Sequence, residues 1–186
     1  MSIWKKTFED FGGFVEDSFI GHQASVEDVE FCHRLLRAGH QLTRKADIQV
    51  QHAFWFNFVG SVKNAVKKSK FWTMYSLKNR DVMKDSGAAS LQLKVNVFTQ
   101  MLGLALIAAA VVSRIWWLLI AVPGIYIINI IVNSRFLLLI KKERGFWFLA
   151  RAVGYYHFVY PFVVAYGSLL GTIKYIWEVK ILRRYA

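Results

Sequence analysis

Three apolar runs, residues 95–113, 115–133 and 152–173, constrain this chain more than any other feature. Each is about 19 to 22 residues long, enough for a helix rising 1.5 Å per residue to cross a hydrocarbon layer of about 30 Å. Of the 186 residues, 55% are hydrophobic and 16% aromatic, a balance unusual for a water-soluble domain. Before residue 95 charged and polar residues are interspersed throughout. The chain therefore reads as a membrane protein with a polar N-terminal part.

The charge follows the same division. Residues 1–60 carry six Lys/Arg against eight Asp/Glu, residues 61–94 eight against two, and residues 95–186 ten against two, giving a net charge of +12. A basic excess beside apolar spans points to anionic lipid headgroups as partners. No aromatic–basic RNA motif or zinc-finger spacing points to nucleic acid. The single cysteine, Cys32, excludes an intrachain disulfide. "MSIWKKTFEDFGG" has lysines but no apolar core of signal-peptide length, so the polar part is expected in the cytoplasm and the chain in the plasma membrane.

Within the polar part, Trp4, Phe8 and Phe11 recur at helical spacing and are stopped by Gly12 and Gly13. Ser25 to Ala38 reads as an amphipathic helix, with Ser25 as cap, Asp28 three residues on, Phe31, Cys32, Leu35 and Leu36 on one face, and Gly39 past its end. "DIQVQH" alternates with period two and reads as a short strand delivering His52 at its end. From Val59 to about Arg80 helical periodicity returns, with Val59, Val62 and Val66 opposite Lys63, Lys67, Lys68 and Lys70, as in a helix lying at a membrane interface.

"FEDFGGFVE", "VEDVEFCHRLLRAGH" and "DIQVQH", in this order over residues 4–52, resemble the second half of the catalytic domain of family 2 glycosyltransferases. The lysine-rich segment and apolar runs that follow are similar to the membrane-attached members. The resemblance implies an α/β fold, a partial GT-A-type catalytic half over residues 1–58. A basic interfacial segment over 59–94 follows, then an α-helical membrane domain with two to three transmembrane helices over 95–177 and a basic tail over 178–186. It implies transfer of a sugar from a nucleotide-sugar donor to a lipid-linked or polysaccharide acceptor at the cytoplasmic membrane face. Asp28 would be the general base, Glu27 its neighbour shaping the site, and Gly12 and Gly13 part of a loop on the acceptor side. His52 would help complete a divalent-metal site, manganese or magnesium, holding the nucleotide diphosphate.

A carboxylate suits that role, because an acceptor hydroxyl is a poor nucleophile until its proton is removed as the new bond forms. Acids in a first helical turn are also favoured by the helix dipole alone, so Glu27 and Asp28 read equally as helix-initiating residues. His52 likewise reads as either a metal ligand or a strand-end histidine with an ordinary hydrogen bond. Arg34 and Arg37, on the polar side of their helix, read as solvated or paired.

The motifs that would bind the nucleotide are not among these 186 residues, and no Gly-rich phosphate loop replaces them. The chain is thus expected to be a C-terminal fragment, inactive alone, arising by truncation, by a late start codon or from a split gene whose N-terminal half is a separate partner polypeptide. The alternative is a non-catalytic membrane anchor or assembly subunit. With the polar part cytoplasmic, residues 95–113 cross outward, Arg114 turns, residues 115–133 return, and "KKER" at 141–144 obeys the positive-inside rule. A third crossing by 152–173 is expected, although it places Lys180, Arg183 and Arg184 outside; the competing reading is a bend at Pro161. Asn129, Asn133 and the Gly167–Gly171 spacing read as helix-packing features.

Overall fold

The computed structural model describes residues 3–14, 26–43, 57–83 and 89–181. Its helices are α1 (Lys5–Asp10), α2 (Glu27–Arg37), α3 (Phe58–Asn79), α4 (Leu91–Ser113), α5 (Ala121–Val132), α6 (Ser134–Phe158) and α7 (Tyr160–Tyr175). A 3-10 turn (Trp116–Ile120) leads into α5, and a π-helical turn (Ile176–Ile181) follows α7. Of the described residues 84% are helical and none lies in a strand, which overturns the expected α/β catalytic half. The period-two stretch ending at His52 lies outside the described residues.

Two helical stretches are long and apolar enough to cross a membrane, Leu91–Ser113 and Ser134–Glu178; Trp116–Val132 is apolar and shorter. Ser90 caps α4 by accepting from Leu93 N at 3.2 Å, so this helix starts one turn before the apolar run. At its other end Arg114 takes a left-handed φ of 58° and turns the chain into the Trp116–Ile120 segment. Pro123 fits there because it falls in the first turn of α5, where a backbone N–H has no intrahelical partner.

The second stretch is not one rod. Gly145 has φ 79° and ψ 179°, a conformation essentially closed to residues with a Cβ. Phe136 and Tyr156 have ring centroids 5.1 Å apart, and the Tyr156 hydroxyl donates to Asn133 Oδ1 at 3.3 Å. Twenty residues of straight helix would hold these rings about 30 Å apart, so α6 folds back as a V with Gly145 at its apex. A second break divides the expected 152–173 span, where α6 ends at Phe158 and α7 starts at Tyr160, with Pro161 in its first turn.

Pro161 has no N–H for the carbonyl four residues back, that of His157. That carbonyl accepts instead from Gln100 Nε2 of α4. One residue earlier, Asn96 Nδ2 donates to Tyr156 O at 2.8 Å. Tyr126 donates to Gln100 Oε1 at 2.7 Å, and Asn129 Nδ2 donates to Asn96 Oδ1 at 2.8 Å and to Thr99 Oγ1 at 2.5 Å. Asn133 Nδ2 closes the chain on Asn129 O at 2.9 Å and Asn129 Oδ1 at 3.0 Å. Asn96, Gln100, Asn129 and Asn133 are all within 2% of full burial. A buried amide without a partner is costly, so this set fixes α4, α5 and the α6–α7 break to one another.

Beyond the break α7 lies along α3. Ser61 Oγ is 3.4 Å from the Tyr155 hydroxyl, Gly167 faces Val66 and Ser69, and Gly171 faces Lys70 and Thr73. Both residue numbers rise together, so the two helices are parallel, and the glycines let the backbones approach closely. At the far end Val26, Phe71, Trp72, Met74 and Tyr75 form a buried cluster against which Val29, Ala89 and Tyr175 pack. The start of α2, the last turns of α3, the entry to α4 and the end of α7 thus meet at one place.

A Cβ on Gly167 would sit 2.6 Å from Val66 O and nearer still to Ser69 Oγ, whereas one on Gly154 meets nothing within 4 Å. Gly167→Ala is expected to destabilise the detergent-solubilised protein by about 1–3 kcal/mol, read as a lower thermal unfolding midpoint. Gly154→Ala should leave the midpoint unchanged or slightly raised.

Candidate functional site

The two acids of "SVED" lie at the very start of α2. The helix begins one residue later than expected, with Val26 at the cap position making no side-chain cap bond; Glu27 and Asp28 are its first two residues, and Ser25 lies outside the described residues. Val26 is fully buried in the cluster on α3, and Val29 packs against the same cluster. Between these two anchors Glu27 and Asp28 are exposed. Asp28 Oδ1 accepts from Val29 N at 2.8 Å, which fixes the carboxylate at the helix start.

Further contacts hold α2 to α3 through side chains. His33 Nδ1 lies 2.6 Å from the Tyr75 hydroxyl, and Arg37 donates to Asn79 Oδ1 at 3.2 Å. Burial, aided by the charges of Glu30 and Asp81 and opposed by Arg37, pushes the Tyr75 phenol up to about 12, so its hydroxyl remains a donor at neutral pH.

Arg34 is the residue whose role the sequence pattern leaves undefined beyond solvation or pairing. Its Nε pairs with Glu30 at 2.9 Å, while its two terminal nitrogens donate to Phe11 O and Gly13 O, each at 2.5 Å. One guanidinium thereby ties α2 to the "FGGF" turn that ends α1, a use of its fixed fork of donors that lysine cannot copy. Gly12 (φ 70°) and Gly13 (φ 60°) are both left-handed, and a Cβ on Gly13 would come 3.0 Å from the Phe8 ring. Phe8, Phe14 and Phe31 meet around the turn in edge-to-face and tilted contacts, with centroids 5.2 to 5.7 Å apart. The glycines expected on an acceptor loop are here part of a rigid turn clamped to the acid-bearing helix.

An open cleft of about 450 Å³ lies between α1 and residues 40–43, with Trp4, Thr7, Cys32, Leu35 and His40 among its walls. Cys32 stands one helical turn beyond Asp28, which is itself not among the cleft's walls. Burial first, and the charge of Asp28 second, push the Cys32 thiol up, which leaves it protonated and a poor nucleophile at neutral pH. Among the described residues no three His, Cys, Asp or Glu come together as a metal site, and His52 lies outside them. Glu27 and Asp28 alone do not make a divalent-cation site.

No protein-family model, curated protein or solved structure matches this chain.

Replacing Arg34 by Met removes both carbonyl contacts while keeping much of the apolar stem. Backbone amide exchange over residues 8–14 is expected to accelerate, by about tenfold or more, with exchange in α4 unchanged. Unchanged exchange at the turn would show that the guanidinium does not hold it.

Proposed function

We propose that this chain forms the acceptor side of a membrane-embedded sugar transferase, with Asp28 as the base that takes the acceptor hydroxyl's proton. The observation that carries this reading is the placement of the acids. They are exposed on a rigid helix start that is itself seated on the cluster where α3, α7 and the entry to α4 converge. A lipid-linked acceptor, its hydroxyl-bearing head at the membrane surface and its tail among the apolar helices, suits a base held there. The motif order over residues 4–52 supports the same reading. Donor binding requires a further nucleotide-sugar-binding unit acting with these residues.

We propose a membrane arrangement for the same chain. Leu91–Ser113 crosses outward and Trp116–Val132 returns, joined by a turn holding Arg114. The third apolar run does not cross, because α7 ends at the cluster that also holds the start of α2. Lys63, Lys67, Lys68, Lys141, Lys142, Arg144 and Lys174 then share the cytoplasmic side, removing the charge conflict that a third crossing creates.

The second reading, a non-catalytic membrane anchor, draws on the hydrogen bond from Val29 N to Asp28 Oδ1, which is what a helix-initiating acid makes. Asp28→Asn separates the two, since the amide oxygen still accepts that bond but does not serve as a base. With the donor-binding unit present, sugar transfer to lipid in membranes should fall about 10²-fold or more while the protein level holds. Glu27→Gln should have a smaller effect. Near-normal transfer by folded Asp28→Asn returns the acids to helix initiation and favours the anchor.

A further inference from the structure

The apex of the α6 V carries charged and aromatic surface that no other described element covers. Lys141, Lys142, Arg144 and Arg151 are all exposed, with Glu143 the only acid among them. None of the three ion pairs found among the described residues involves these cations. Immediately past the Gly145 break, Phe146, Trp147 and Phe148 are 63%, 79% and 50% exposed. On the other arm Leu138 and Leu139 are exposed as well. A water-facing loop would not keep three consecutive aromatic rings outward, and a span buried in acyl chains would not keep four cations.

We infer that this apex is a lipid anchor specific for anionic headgroups, its rings seated at the acyl–headgroup boundary and its cations on lipid phosphates. Tryptophan favours that boundary and phenylalanine packs on its apolar side, and each lysine or arginine close to an anionic leaflet adds attraction that neutral lipid does not supply. The Gly145 backbone makes the surface possible: its reversal brings the basic end of one arm beside the aromatic start of the other, where a continuous helix would distribute them around its circumference. The two arms return to Asn133 and Tyr156, so the anchor is attached at the hydrogen-bonded base of the membrane hairpin. This inference rests on the membrane reading and is independent of sugar transfer.

The test uses the full chain with Cys32→Ser, carrying a nitroxide at Ala150→Cys beside the intact aromatic triplet. It is reconstituted in vesicles of phosphatidylcholine alone or containing one-quarter phosphatidylglycerol. Relaxation by oxygen against relaxation by a water-soluble nickel chelate reports whether the label sits in lipid or water. In the anionic vesicles the oxygen-to-nickel ratio should exceed that in phosphatidylcholine by about twofold or more, and added salt should reduce the difference. The Lys141→Gln, Lys142→Gln, Arg144→Gln triple variant should lose the difference, while Lys141→Arg with Lys142→Arg should keep it. Equal ratios in the two lipids, or a difference that survives the triple variant, would overturn the anchor. A second label at Ile107→Cys, within the apolar run of α4, should be oxygen-accessible in both lipids; a water-exposed label there would instead sink the membrane reading itself.

Discussion

Two side-chain amides on α4 meet two backbone carbonyls at the α6–α7 break, and the rest of the molecule is arranged around that contact. Pro161 deprives the His157 carbonyl of its helical donor, and Gln100 supplies one from a distant part of the sequence, while Asn96 serves Tyr156. In an apolar layer an unpaired carbonyl costs several kcal/mol, so a chain that breaks there must break beside a donor. The same amides are held by Tyr126 and Asn129, which brings α5 into register with α4. One break, satisfied by one helix, thereby sets the direction of the remaining chain.

Past that break α7 is sent back along α3 instead of onward. The close approach at Gly167 and Gly171 turns α3, a helix with five lysines and no net hydrophobic character, into one half of a packed pair. The end of that pair is the seat of α2. Val26 and Val29 bury themselves in it, and the two carboxylates between them have no choice but to stand at its rim. Arg34 then carries the order outward to the "FGGF" turn, so the exposed acids and that turn rest on a continuous line of contacts from the apolar α4–α5 hairpin.

The helices are legible where period and punctuation agree. Gly12 and Gly13 stop α1, Gly39 follows α2, and the lysine stripe of residues 63–70 marks α3 within one residue of its start. The packing roles of Asn129 and of Gly167–Gly171 are also readable from spacing. The amides that matter most, Asn96 and Gln100, escape the sequence pattern although they stand in an apolar run, where a polar side chain signals a partner. Their role is hidden because the partner is a backbone carbonyl freed by a proline in another run, which no local pattern encodes. The α/β expectation rests on resemblance and on one period-two stretch, and it fails because the described residues are mostly helical and none of them lies in a strand. Arg34 looks like an ordinary surface cation in the sequence because its acceptors are two backbone carbonyls of a distant turn.

The proposed membrane arrangement depends on the third apolar run coming back to the side from which α4 departs. Single cysteines at Lys68, Arg114 and Ile181, each in a Cys32→Ser background, are to be labelled in intact cells by a membrane-impermeant maleimide, then again after permeabilisation. If α7 returns along α3, Lys68→Cys and Ile181→Cys are both protected until the membrane is opened, and Arg114→Cys is labelled from outside. Labelling of Ile181→Cys from outside, with Lys68→Cys protected, would mean that α7 crosses the membrane and would contradict the arrangement of α7 on α3.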